Sequence, residues 1–248
     1  MKRKLFTLLL SGLISTPASA GYDEGIAAYN AKNYRAAFSE FSTAADQGNP
    51  KAQLELGKMY AGYNYKAVQT DYSLALKWLS KAASKGLVEA TYELGQLYEY
   101  GNGVRKNVSE ARRLYIKAAE QGNTNAMNSL GKLYIMGSGV PINYSKAASW
   151  NLKGAELGDP WCLLSLSSLY DTGDGVPKNF EISYALLSAS DMIFKSKGND
   201  IELTNDENKN AIAQKLSPKQ LTAARRLATE LVKPHNVNKA ISAYLNQS

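Results

Sequence analysis

The residues able to do chemistry are few: one histidine, His235, one cysteine, Cys162, and 22 carboxylates in 248 residues. One Cys and one His leave no ligand set for a structural zinc and no disulfide framework. The sequence holds no Gly-x-Ser-x-Gly, no His-Glu-x-x-His and no phosphate-cradling Gly-Lys-Ser/Thr loop, and no carboxylate pair is singled out by its spacing. No catalytic residue, metal or cofactor is therefore expected, and the protein reads as a non-enzyme. His235 follows Pro234 in a solvated tail. Cys162 reads as a buried small residue, with pairing to another chain as the alternative. What remains is surface, so the question becomes which elements shape it.

The elements come from a repeat. Ala90-Thr91-Tyr92-Glu93-Leu94-Gly95-Gln96-Leu97-Tyr98 aligns with Ala126-Met127-Asn128-Ser129-Leu130-Gly131-Lys132-Leu133-Tyr134, 36 residues later. Gly101-Asn102-Gly103-Val104 returns as Gly137-Ser138-Gly139-Val140 and as Gly173-Asp174-Gly175-Val176. An earlier copy keeps Leu56-Gly57 and Tyr60, and its connecting loop is two residues longer. A period of this size means stacked supersecondary units, none of which buries its apolar face alone. Ala90, Leu94, Leu97 and Tyr98 share one face of a helix, here helix A. Asp71, Asn107, Asn143 and Asn179 stand where the N-cap of helix B is needed, and Gly122 where a helix ends. The fold class is all-α: an α-solenoid of antiparallel helix pairs.

The organisation follows. Residues 51–198 hold four repeats, at about 51–89, 90–125, 126–161 and 162–198, preceded by a partial repeat over 21–50. In the fourth, Cys162 replaces the leading Ala and Ser167 the Gly, as suits a terminal repeat. Lys195 to Lys209 is polar and reads as a loop. Ser217-Pro218-Lys219-Gln220 announces a C-terminal capping helix through Leu221, Ala224, Leu227, Ala228 and Leu231. Residues 199–248 thus comprise the polar loop and the C-terminal caps.

The amino end reads as an export signal over 1–20: Lys2, Arg3 and Lys4, an apolar run from Leu5 to Ile14, then Ala18-Ser19-Ala20, with cleavage between Ala20 and Gly21. A retained anchor is the weaker reading, because the apolar run is short for a bilayer span. The formal charge of +7 includes those three basic residues, and their loss leaves 26 basic against 22 acidic. That balance does not argue for nucleic acid. The expected product is periplasmic or secreted, without a membrane span, and a monomer.

These motifs resemble the Sel1-like repeat, a relative of the tetratricopeptide repeat: Ala-x-x-x-Leu-Gly-x-Leu-Tyr, Gly-x-Gly-Val, then Lys-Ala-Ala-x-x-Gly, as at Lys117-Ala118-Ala119-Glu120-Gln121-Gly122. The first repeat departs, with Tyr63-Asn64-Tyr65-Lys66 in place of Gly-x-Gly-Val. The resemblance implies a right-handed solenoid whose open A-helix face lines a concave groove. Stepping about 100° per residue from the buried face puts Glu89, Tyr92, Gln96, Glu99 and Tyr100 on that open side. The period carries the stripe to Asn128, Lys132, Ile135 and Met136, then to Trp161, Leu164, Ser168 and Asp171, with Leu54 and Lys58 from the first repeat. Tyr92, Tyr100 and Trp161 have two readings, anchors of an interface or packing between A helices. Tyr92→Ala with Tyr100→Ala should leave the melting temperature nearly unchanged on the first reading and unfold the protein on the second.

Lys58, Glu99, Lys132 and Asp171 alternate in sign, which suits a mixed-charge polypeptide. The resemblance implies an adaptor, scaffold or regulator binding an envelope protein, or an immunity protein neutralising a periplasm-delivered effector such as a phospholipase. A glycan or peptidoglycan ligand on the aromatic side chains is a third reading. A β-lactam-binding or hydrolysing enzyme is a fourth, weakened by the lack of paired cysteines.

Overall fold

The computed structural model describes residues 17–63, 68–198 and 205–246. Most of the export segment, and Asn64 to Lys66 of the first loop, lie outside them. Among the described residues there are thirteen helices and no strand. They divide into two compact units, residues 1–87 and 88–248.

The first unit holds α1 (Pro17–Asn30), α2 (Tyr34–Asp46), α3 (Pro50–Tyr60) and α4 (Tyr72–Ser84). Its core is Phe41, Leu56, Met59 and Trp78 with small residues between them. The partial repeat over 21–50 forms a complete helix pair, in which the ring of Phe41 lies where a Cβ on Gly25 would stand, 2.4 Å away. Helix α1 runs through the Ala20–Gly21 bond.

The second unit begins with α5 (Val88–Tyr100), α6 (Val108–Glu120), α7 (Thr124–Met136), α8 (Tyr144–Glu156), α9 (Pro160–Thr172) and α10 (Phe180–Ser196). The odd members are the A helices and the even members the B helices. Asn107, Asn143 and Asn179 each accept a backbone N–H in the first turn of helix B. The N–H of each cap also donates back to a tyrosine carbonyl on helix A: Asn107 to Tyr98 at 2.8 Å, Asn143 to Tyr134 and Asn179 to Tyr170 at 2.9 Å. The first repeat makes the same closure, Asp71 to Tyr60 at 2.9 Å, without Gly-x-Gly-Val. The cap and the tyrosine therefore fix the A–B connection, while the glycines supply its turn and let it approach the preceding repeat, where a Cβ on Gly175 would lie 2.3 Å from the Tyr144 backbone.

Tyr115, Leu130, Leu133, Leu163, Leu166 and Leu186 fill the core with Ala side chains at the closest helix approaches. Leu94 corrects the sequence reading: it is partly exposed on α5, whereas its counterparts Leu130 and Leu166 are buried. Thr91, one turn earlier on α5, is buried like its counterparts Gln53, Met127 and Leu163.

The carboxyl part holds α11 (Asn205–Ala213), α12 (Pro218–Leu231) and α13 (Val237–Leu245). The capping box of α12 forms between Ser217 and Gln220, and its apolar stripe of Ala224, Leu227, Ala228 and Leu231 is buried. The expected loop from Lys195 to Lys209 is shorter at both ends, since α10 continues to Ser196 and α11 starts at Asn205. Asp206 and Glu207 in the first turn of α11 meet the positive end of the helix dipole, which a search for apolar periodicity overlooks. His235 is exposed, but its segment is tied down: its N–H donates to the Glu156 carbonyl, and the Glu156 carboxylate accepts the N–H groups of Val237 and Asn238 at 3.2 and 2.6 Å. Asn236 makes no side-chain cap for α13, so Glu156 on α8 caps that helix from outside.

Candidate functional site

On the A-helix face of the second unit lies a cleft of about 270 Å³ built from three successive A helices. Helix α5 contributes Tyr92, Gln96, Glu99 and Tyr100; α7 contributes Asn125, Asn128, Ser129 and Lys132; α9 contributes Trp161. The repeat makes this convergence automatic, because a 36-residue step returns each residue to the same place on the next A helix.

Its floor is a hydrogen-bonded set. Gln96 Nε2 donates to the Tyr92 hydroxyl at 2.9 Å, and the Tyr115 hydroxyl donates to Glu99 Oε2 at 2.6 Å. The Tyr92 and Tyr115 rings pack with centroids 5.6 Å apart. Burial pushes the Tyr92 hydroxyl up to about 12, partly offset by its hydrogen bond with Ser129. The Tyr115 hydroxyl is pushed well above its usual range, first by burial and then by the Glu99 carboxylate it serves. Asn128 Nδ2 donates to Ser165 Oγ at 2.9 Å, tying α7 to α9.

The rim is open. Tyr100 is 63% and Trp161 41% exposed, the indole set edge-on to Phe194 with centroids 5.0 Å apart. Lys132 is exposed. One carboxylate, one ammonium, amides, hydroxyls and aromatic rings can hold a polypeptide by hydrogen bonds, ion pairing and ring contacts. The cleft contains no thiol, imidazole or activated hydroxyl.

Seven residues of the expected stripe therefore meet here: Tyr92, Gln96, Glu99, Tyr100, Asn128, Lys132 and Trp161. Two of them are more buried than expected: Tyr92 lies against Tyr115, and Asn128 is 6% exposed. Glu89 is exposed but does not line the cleft, and Ile135 packs against the core. Met136 is exposed at the end of α7. Leu164, Ser168 and Asp171 line a separate cleft of about 210 Å³ that α11 closes from the other side. In the first unit Leu54 is buried and Lys58 pairs with Glu55 at 3.2 Å. Sequence reasoning missed Asn125 and Ser129. Asn125 had a signal, since it stands 36 residues after Glu89 and 36 before Trp161.

Cys162 is buried, its sulfur 3.8 Å from the Thr124 carbonyl, and burial pushes its thiol far up. Among the described residues no group of three or more His, Cys, Asp or Glu side chains could hold a metal ion. Nor is any described helix long and apolar enough to cross a membrane.

Comparison with known proteins locates this architecture. The Sel1 repeat model matches residues 50–87, 88–123, 124–159 and 162–190, more than half of the chain. Protein sel-1 homolog 2 of Homo sapiens is 38% identical over 86 residues, 34% of this chain, and the match spans 12% of that protein's length. Among solved structures, a Sel1 repeat protein from Oxalobacter formigenes superposes with a TM-score of 0.62 at 25% identity, covering 92% of this chain and 100% of that one. The immunity protein Pa5087 of Pseudomonas aeruginosa shares the fold at a TM-score of 0.53 and 19% identity, over 91% of this chain and 86% of that one.

Proposed function

We infer that this chain, which belongs to the Sel1 repeat family, is an exported, periplasmic binding protein that holds a protein partner against the A-helix face of its second unit. One observation carries the reading: on that face a single cleft gathers the exposed rings of Tyr100 and Trp161 with one carboxylate, Glu99, and one ammonium, Lys132. Aromatic anchors beside opposite charges are what a mixed-sequence polypeptide requires. The role is that of an adaptor, scaffold or regulator rather than a catalyst. A toxin as the partner would make it an immunity protein, the role that the name of Pa5087 states for that protein.

The test is capture from a periplasmic extract with the chain from Gly21 to Ser248, against a variant carrying Tyr100→Ala and Lys132→Glu. Both positions are exposed, so the variant should fold normally. A dominant partner lost in the variant is the expected result, and its identity separates adaptor from immunity protein. Equal capture by both chains would move the site elsewhere. Binding to purified sacculi without any protein partner would replace this reading with a glycan ligand.

A further inference from the structure

Helix α11 packs on α10 and, with the turn that follows it, closes the cleft lined by Leu164, Ser168 and Asp171 of α9. It is attached at three points spaced three residues apart. Lys209 Nζ is 2.5 Å from Asp191 Oδ2 on α10. Ile212 is buried in a cluster with Tyr184 and Leu187. Lys215 Nζ, from the turn just after α11, is 3.2 Å from Asp171 Oδ1 on α9 and 4.5 Å from the centre of the Phe180 ring. The receiving surface is thus an apolar patch with a carboxylate at each end.

The attachment is local: the Lys209–Asp191 pair is mostly buried and Ala213 and Leu216 join Ile212 against α10, but the rest of the helix faces solvent. Asp206, Glu207, Asn208, Asn210 and Ala211 of α11 are all exposed, and the Lys215–Asp171 pair is itself 44% and 33% exposed, so it adds little holding energy. A nine-residue helix has little stability of its own. Helix α12, by contrast, buries four apolar side chains in a row. Between α11 and the helices α9 and α10 the 210 Å³ cleft also remains, so the contact is incomplete.

We propose that the surface formed by α10 with the edge of α9 in the fourth repeat is a receptor for a basic amphipathic helix of a partner protein, with lysine, aliphatic and lysine three residues apart, and that α11 fills it in cis until such a helix displaces it. This rests on reading the second unit as the protein-binding one, and it names a surface of that unit beside the A-helix cleft and what that surface accepts. An acidic helix is rejected, because it would set carboxylates against Asp171 and Asp191. The cis helix competes at a high effective concentration, so the receptor answers only to a partner that binds well or engages the neighbouring cleft too.

The experiment uses the full chain and a fluorescent synthetic peptide of residues 205–217. Lys209→Glu with Lys215→Glu, and separately Ile212→Glu, should release α11, read as faster amide exchange over 205–216 with the rest of the fold protected. The peptide should bind the released variants at least tenfold tighter than the unaltered chain. A peptide keeping only lysine, isoleucine and lysine at that spacing among Ala and Gln should bind within about threefold of it, and adding Asp171→Lys to a released variant should abolish binding.

Release of α11 without peptide binding would overturn the proposal, as would equal binding to released and unaltered chains. Continued protection of α11 in both variants would make it a fixed part of the fold and overturn it too. Dimerisation of the unaltered chain by exchange of α11 would show a second copy as the occupant and likewise refute the partner class. None of these outcomes involves Tyr100 or Lys132, so the capture experiment can fail or succeed independently.

Discussion

Ser167 on α9 and Ser183 on α10 exchange hydrogen bonds, each hydroxyl donating to the other's backbone carbonyl at 2.9 Å. Both residues are buried. The preceding repeats place Gly95 and Gly131 at the position of Ser167, and a Cβ there would come within 2.6 Å of Tyr115 or Asn151. The fourth repeat replaces that bare approach with a polar clasp. Ser167→Ala should cost about 1 kcal/mol through the lost hydrogen bond. Ser167→Gly, which restores the residue of the other repeats, should cost more, about 2 kcal/mol, because the flexibility of glycine in a helix adds to that loss. Urea midpoints of the two variants test the order; a Gly variant as stable as the parent would refute the clasp.

The two groove tyrosines are expected to part company. Tyr92→Ala should destabilise by roughly 2 to 4 kcal/mol, since its ring packs on Tyr115 and its hydroxyl accepts from Gln96. Tyr100→Ala should stay within about 0.5 kcal/mol of the parent. Leu130→Ala, at a fully buried site, should cost roughly 2 to 5 kcal/mol and exceed the partly exposed Leu94→Ala. Equal melting temperatures for the two tyrosine variants would contradict this division.

Asn151 on α8 is 0% exposed, and neither its Oδ1 nor its Nδ2 has a hydrogen-bond partner. Its place in the preceding repeat is taken by Tyr115, which reaches Glu99; the corresponding residue for Asn151 would be Ile135, which offers no acceptor. Asn151→Leu keeps the shape and removes the unsatisfied amide, so it should stabilise the protein by about 1 to 3 kcal/mol. A thermal melt that moves downward would mean that the amide has found a partner, such as a buried water.

Alkali should loosen the second unit. Burial raises Tyr92 from 10.0 to about 12 in the folded protein, so the stability it contributes is complete below pH 10 and is lost as pH rises from 10 towards 12. Tyr115 is raised in the same direction, first by burial and then by Glu99. Each such residue steepens the loss by about 1.4 kcal/mol per pH unit in that window. Tyrosinate absorbance should show the exposed rings ionising first and the buried ones together with loss of helical circular dichroism. Ionisation of every ring near pH 10 with the helices intact would disprove it.

The helix pairs were readable because a 36-residue step carries the same apolar face, cap and turn from repeat to repeat. Asn107, Asn143 and Asn179 announced helix B by residue type alone. Leu94 departs from its expected burial because a helical wheel assigns faces and not neighbours, and for the same reason the wheel leaves both readings of Tyr92 open, since it cannot see the Tyr115 ring beneath it. Asn125 was legible from the period alone, standing midway between Glu89 and Trp161. The docking of α11 had no signature in spacing, since one isoleucine and two lysines in a polar stretch become a binding edge only opposite Asp171, Asp191 and Leu187.

The bond from the Asp71 N–H to the Tyr60 carbonyl has the same length as its counterparts although the chain between takes a longer path. Closure at the base of the loop uncouples what the loop contains from the register of the helices it joins. Engineers could use that: an epitope or fluorescent tag inserted ahead of Val68, which itself packs on the core of the first unit, would hang from a finished hairpin of helices.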